Sequence, residues 1–463
     1  MAVTMKPLIN AALCELLLFT AHLHASADQT TNTPFALDQP VRSISLQPNG
    51  RVLIAGDFTV VDGAASGHVA RLNEDGSTDL GFMSNLAGAN GDVYSTALQQ
   101  DGRVLIGGLF GSVNGVAHHG LARLNTNGSL DTSFNAVTGS APIAVQSDGK
   151  MLVATALLNN SGTADTLFRL NVNGARDTNW LVTLNGGTVS AMEQQADGKI
   201  LIVGTFASVN GINRAGLARL NTNGTTDSTF QNGMSGVPGL VNCLALQPDG
   251  KVLIGGYFLL VNGVRRTRIA RVNQDGSVDA VFQNGMAGAD GDLEAFAVQP
   301  DGKVLIGGYF SSVNNVRRSG IARLAPDGSL DGSFQNGMAG ADVPFVLALA
   351  LQPDGKVIIG GGFTSINGVR RYRIARLNAD GSVDPLFHNG GEPPPVLNNA
   401  GIQSNHFVFK ISGQSNQVVV VEASANLLNW LPVATNTLGD TPLPFNDPAP
   451  ANLHMRFYRA RLQ

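Results

Sequence analysis

A stretch of about fifty residues recurs seven times in this 463-residue chain, and no other feature constrains its fold as strongly. Periods of this length mark arrays in which one supersecondary unit packs on the next. Each copy carries an Asp-Gly or Asn-Gly pair after Leu-Gln-Pro or a variant of it. The glycines are Gly50, Gly102, Gly149, Gly198, Gly250, Gly302 and Gly355, at steps of 52, 47, 49, 52, 52 and 53 residues. The copies fill the chain from about 41 to 390.

The sixth copy, Phe296 to Phe334, reads as four strands. FAVQ is a short apolar run, and PDG offers the positive φ angles of a tight hairpin. KVLIGGYF is β-branched and aromatic. SSVNNVRRS is a polar loop, GIARL a third strand, APDG a second hairpin turn and SLDGSF a fourth strand. No stretch shows apolar residues at helical spacing, which excludes an α-solenoid. The 56 glycines and a charged content of only 14% suit short strands and tight turns. The expected fold is all-β: a seven-bladed β-propeller of four-stranded antiparallel blades.

Two side-chain regularities run through the copies. An aromatic or large apolar residue ends the second strand (Phe58, Phe110, Leu157, Phe206, Phe258, Phe310, Phe363). An aromatic also ends the fourth (Phe82, Phe134, Trp180, Phe230, Phe282, Phe334, Phe387). Seven-fold recurrence implies packing between blades, not one cofactor pocket. The second regularity is an Arg in the third strand and an Asp eight residues later. The pairs are Arg71 and Asp79, Arg123 and Asp131, Arg169 and Asp177, Arg219 and Asp227, Arg271 and Asp279, Arg323 and Asp331, and Arg376 and Asp384. A two-residue turn between them predicts a structural charge-assisted contact, within the hairpin or across to the next blade. The third copy departs most: it is shortened and lacks the Ile-Gly-Gly glycines.

The motif LQPDGKVLIGGYF…VNGV…RIARLNADGSVDPLF resembles the delta-60 repeat, a propeller-type repeat of bacterial secreted and surface proteins. The resemblance covers about 350 residues. It implies a propeller, and it implies no agreed activity or catalytic residues. The segment around Phe35 is similar to the end of a blade, so an N-terminal strand is expected to pair with or cap the last blade.

Outside the repeats, residues 1–27 read as an export signal. Lys6 precedes an apolar run from Leu8 to Ala21, and Ala25-Ser26-Ala27 offers a cleavage site. Removal of that signal takes Cys14 and leaves Cys243 alone, so no internal disulfide is expected; Cys243 reads as a small buried hydrophobe. The run is too short for a membrane span. Pro393 to Pro395 mark a linker over 391–400, and 401–463 reads as a small all-β module of five or six strands. Its VVVEASANLLNWLPVATNT…FYRARLQ resembles a C-terminal module of verrucomicrobial exported proteins.

Candidate chemistry is sparse. Asn378, Asp380, Gly381 and Asp384 echo part of a calcium loop, but the Gly comes too early and no closing Glu follows, so a hairpin turn is expected instead. His118 and His119 read as solvated loop residues, and Asp290 and Asp292 as surface acids. No nucleophile elbow, phosphate loop or metal spacing is present, so no catalytic residue, metal or cofactor is assigned. A net charge of -4 gives no reason to expect nucleic acid. Arg265 and Arg266, Arg317 and Arg318, and Arg370 and Arg371 lie in the long loops of copies five to seven. They are the candidate binding residues, a basic arc for an anionic polysaccharide or a protein partner. The expected function is a monomeric, exported, non-enzymatic binding scaffold. The alternative is a carbohydrate-active lyase or glycosidase with acids at the channel mouth.

Overall fold

The structure is a computed structural model. It describes residues 37–134, 136, 141–154, 166–387, 396–403, 406–412, 418–424, 430–439, 441–450 and 457–462. The expected signal at 1–27, Phe35, Leu157 and Pro393 to Pro395 lie outside the described residues. Seven antiparallel sheets succeed one another along 41–387, one per copy, and are numbered here as blades one to seven. In blade one the inner strand Val41–Leu46 pairs with the middle strand Val52–Gly56, which pairs with the third strand Val69–Leu72. Every residue of the middle and third strands is buried. They are apolar throughout, as strands sandwiched between neighbours should be.

The polar loop expected after the middle strand is itself a small hairpin in six blades. In blade two Ser112–Val113 pairs with Val116–Ala117 across Asn114 and Gly115, both at positive φ (50° and 77°). That is the conformation an Asn-Gly turn supplies at low cost. The fourth strand is the main departure from expectation. In six blades it is a single bridge, such as Leu72↔Thr78 or Leu377↔Val383. Only blade three extends it, as Arg176–Asn185. Elsewhere glycines soon follow the closing aromatic. In blade three Trp180, Val182 and Leu184 alternate with exposed residues, a strand pattern. That strand also pairs with the small hairpin of blade four. The most divergent copy thus has the most complete outer edge. It also has the shortest inner strand, Ile143–Val145.

The core lies between blades. Seven apolar clusters each join residues of two consecutive blades. The closing aromatic of one blade sits in the cluster it shares with the next, and ten of the largest fully buried side chains beyond Trp180 and Phe58 are phenylalanines at the two recurring positions. The last seam closes the ring: Phe387, Ile358 and Ile374 of blade seven pack with Val41, Ile54 and Phe58 of blade one. Leu37, from the N-terminal segment, is buried there too. Among the described residues the strands of blade seven all come from its own copy.

Among the described residues the C-terminal module has six strands in two three-stranded sheets. Val396–Gln403, His406–Ser412 and Leu443–Pro450 form one; Leu431–Thr437, Val418–Ser424 and Phe457–Leu462 form the other. Phe409, Ile411, Val419, Val421 and Phe445 make its core. Its first strand starts at Val396, paired with Ser412, so the expected linker does not extend to residue 400. Backbone pairing begins directly after the prolines, which have no N–H to donate.

Candidate functional site

Three places could carry function, and the repeat separates them. The first is the face bearing the short Asp-Gly turns. There each recurrent Arg donates from Nε to Oδ2 of its Asp at 2.8–2.9 Å. Its Nη1 donates to a carbonyl in the next blade. Arg71 reaches Thr126, Arg271 reaches Pro326, and Arg376 reaches Glu74 across the ring closure, at 2.6–2.7 Å. Each guanidinium also lies over the closing aromatic, 4.2 Å from the Phe82 centroid and 5.5 Å from that of Trp180. The two sequence regularities are therefore one structural unit. A lysine at the start of the middle strand completes it in five blades, as Lys251 does on Asp279 at 2.8 Å. Burial opposes the charge of Asp279, but hydrogen bonds from Lys251, the Val281 N–H and Arg271 hold its carboxyl well below the usual range. Asp227 and Asp331 are held down in the same way. These groups are saturated, and they bind blade to blade.

The second place is the candidate basic arc, which the structure halves. Arg265, Arg317 and Arg370 are exposed on the small hairpins. Arg266 and Arg371 are buried, and Arg318 is half-buried. Arg266 Nη2 donates to the Asp279 carbonyl at 3.3 Å, and Arg371 reaches the Asp384 carbonyl at 3.4 Å. Successive residues of an extended strand point to opposite sides, so adjacent arginines cannot both face water in one direction. His118 occupies the equivalent inward position in blade two and is buried, contrary to expectation, while His119 is exposed. Asp290 accepts from the Ser311 and Ser312 N–H groups. Asp380 caps its own turn at Ser382. Among the described residues no three His, Cys, Asp or Glu side chains gather as metal ligands.

The third place is the mouth of the central channel, on the face of the small hairpins. A cavity of about 410 Å³ there is lined by inner strands of all seven blades. Six inner strands carry a β-bulge, one residue after the first pairing position in five of them and after the third in blade five, whose strand starts earlier at Gly239. The bulged residues are Arg42, Tyr94, Ser190, Asn242, Glu294 and Leu347. Bulges re-aim side chains and recur beside active sites. Here they sit where the copies are least alike. Blade three has no bulge, and Ala141 stands at that position.

These side chains form a polar cluster with the next tier out. Asn242 Nδ2 donates to Glu294 at 2.9 Å. Arg42 donates to both oxygens of Asp57, at 2.5 and 2.8 Å, and lies 5.2 Å from the Tyr94 centroid. Arg268 pairs with Asp292 at 3.1 Å and covers the ring of Tyr257 at 3.9 Å. Tyr309 stacks on Phe345 at 4.9 Å. Gly362 leaves the space this ring fills, since a Cβ there would collide with Phe345. Burial pushes the Glu294 carboxyl up to about 7, and it raises Asp292 as well. Burial likewise pushes the Tyr94 hydroxyl up to about 12. Cys243, in the same wall, is buried, and its thiol is pushed well up. Arg268 and Arg373 hold left-handed φ angles of 67°, and His68 one of 70°. Blades two, four and six have Gly120, Gly216 and Gly320 at that point. Side chains kept in this conformation are costly and concentrate at functional sites.

Of the mouth cluster only Asp292, read as a surface acid, and Cys243, read as a buried hydrophobe, stood out in the sequence. A usable signal was present: the residue five before the recurrent Gln varies from copy to copy while its neighbours repeat.

The profile of the "Domain of unknown function (DUF5122) beta-propeller" family matches residues 47–82, 99–134, 146–179, 195–230, 247–282, 299–334 and 352–387. No curated protein matches the chain in sequence. Among solved structures, a gluconolactonase from Xanthomonas campestris is 15% identical, with a TM-score of 0.35, over 70% of this chain and 93% of that one. The protein YCF48 from Cyanidioschyzon merolae is 12% identical, with a TM-score of 0.29, over 82% and 94%. A glycoside hydrolase is 12% identical, with a TM-score of 0.25, over 69% and 93%.

Proposed function

The chain belongs to this β-propeller family of unknown function, and on that premise we propose that it is a binding scaffold whose ligand sits in the channel mouth. One observation carries the reading: five bulged inner-strand positions, Arg42, Tyr94, Ser190, Asn242 and Glu294, bring five different side chains to one cavity, while the blades around them repeat. Symmetric positions build the ring, and the asymmetric ones are free to recognise something. The cavity volume falls within the usual range for small-molecule sites. The sequence reading as an exported, monomeric protein is retained as part of this proposal. Among the described residues no helix is long and apolar enough to cross a membrane.

The test is a thermal-shift screen of sugars, polyols, amino acids and nucleotides against wild type and an Asn242→Ala/Glu294→Ala variant. The expected result is a compound that raises the melting temperature of wild type alone. Compounds that stabilise both equally would contradict the reading.

A carbohydrate-active enzyme is the second reading. It is favoured by Glu294, a half-buried carboxyl raised to about 7 beside a second raised acid, Asp292. Mass spectrometry of the bound compound separates the two. A scaffold returns it unchanged, and an enzyme returns product.

A further inference from the structure

We infer that the channel mouth takes the end of a neutral saccharide, with Asn242 and Glu294 holding its hydroxyls and the Tyr309–Phe345 pair flanking its ring. This rests on the channel-mouth reading above and specifies the ligand's chemistry.

The charge at the mouth argues first. An anionic ligand needs an unpaired cation. Arg42 is spent on Asp57 through two hydrogen bonds and Arg268 on Asp292, and Arg373 donates to the Gly362 and Phe363 carbonyls. A cationic ligand needs a free carboxylate. Asp57 and Asp292 are the partners of those arginines, and Asp92 lies 3.5 Å from His68 and 3.4 Å from the Tyr94 hydroxyl. Glu294 is largely unionised below neutrality. Its surroundings are Asn242 from blade five, Asp292 just before its own strand, Arg42 from blade one, the Tyr309 hydroxyl, and Cys243. The mouth is thus polar and close to neutral.

Donor and acceptor chemistry argues next. A protonated carboxyl and a primary amide each present one face that donates and one that accepts. Held side by side, they complement adjacent hydroxyls, which also do both. The walls supply the remainder. Ile44, Leu244, Phe296 and Leu349 line the cavity; Tyr309, 44% exposed and outside that lining, stacks with Phe345 and lies within electrostatic reach of Glu294 and Arg42. A sugar ring has this divided character, with apolar C–H faces and hydroxylated edges.

The experiment uses the full chain on an array of four-unit oligosaccharides of neutral hexoses, N-acetylhexosamines, free hexosamines and hexuronates, followed by calorimetry. Neutral sugars should be retained. Asn242→Ala/Glu294→Ala should weaken them by about tenfold or more, the cost of losing charge-assisted or buried hydrogen bonds. Tyr309→Leu, at an exposed position that tolerates change, should weaken them several-fold and guards against misfolding of the double variant. Glu294→Gln should keep binding and remove the decline expected in wild type between pH 6 and 8. Preference for hexuronates or hexosamines would overturn the inference, as would binding that survives both Asn242→Ala/Glu294→Ala and Tyr309→Leu, or retention of no oligosaccharide. A non-sugar that stabilises only wild type would overturn the saccharide inference and leave the channel-mouth reading standing. Sugar binding lost only in Arg265→Ser/Arg317→Ser/Arg370→Ser would overturn both.

Discussion

The two faces of the ring use charged residues in opposite ways. On the short-turn face one arrangement is made seven times: Arg to Asp, Arg to the next blade's carbonyl, Arg over an aromatic. At the channel mouth each inner strand offers a different side chain, and their partners follow no repeat. The recurrent aspartates and Glu294 differ in the sign of their titration. Asp279, with three cationic or N–H donors, is held well down, whereas Glu294, with one amide partner and burial against it, rises to about 7. Repetition with full partnering marks structure. Asymmetry with incomplete partnering marks a site.

Breaking the repeated face should give the largest effect. Arg271→Met leaves Asp279 buried and removes the link to Pro326. Lys251 and the Val281 N–H still hold Asp279, so the expected loss in urea unfolding is about 2 to 3 kcal/mol, the range for hydrogen bonds to a charged group. Arg376→Met, which also breaks the ring closure at Glu74, should lose at least as much. Wild-type stability from either substitution would show the network to be decorative.

The mouth should respond to pH in the opposite direction. Glu294 binds its proton more tightly when folded, so its contribution to stability is full below the unfolded value near 4.5 and declines as pH rises towards 7. Glu294→Gln should therefore gain about 2 to 3 kcal/mol over wild type between pH 5 and 8. The short-turn face shows the reverse sign. Asp227, Asp279 and Asp331 have lowered folded values, so their contribution is present above about pH 4 and is lost as pH falls below it. Acid melts of wild type and Glu294→Gln should share that low-pH loss. If Glu294→Gln is neutral at pH 8, the mouth carboxyl is not held protonated.

The smallest effect should come from the hairpin arginines. Arg265→Ser/Arg317→Ser/Arg370→Ser should shift stability by no more than about 0.5 kcal/mol per site, as exposed changes do. Arg266→Ser removes a buried side chain bonded to the Asp279 carbonyl and should cost about 1 to 2 kcal/mol. Equal costs at Arg265 and Arg266 would contradict the alternation in the hairpin.

The ring was legible because its causes repeat: Asp-Gly turns, β-branched strands and closing aromatics recur at fixed spacing. The Arg and Asp eight apart were legible for the same reason, and their contacts prove to lie both within the hairpin and across the seam. The fourth strand was harder to read. A turn followed by SLDGSF looks like a strand locally, yet in six blades the Asp folds the chain over after a single bridge. Arg266, Arg318 and Arg371 read as exposed when charge is counted without the period of two that sends alternate side chains inward. The mouth was nearly invisible because its members are one per copy and some fifty residues apart. Only the seven-fold geometry brings Arg42 and Glu294 to one cavity.

The most direct measurement is the ligand-induced melting shift of Asn242→Ala/Glu294→Ala beside that of Arg265→Ser/Arg317→Ser/Arg370→Ser, with a neutral oligosaccharide as probe. The double mouth variant should melt cooperatively without ligand and show no shift, while the hairpin variant should shift as wild type does. A shift retained in the mouth variant and lost in the hairpin variant would place the site on the repeated hairpins and contradict the division between the two faces.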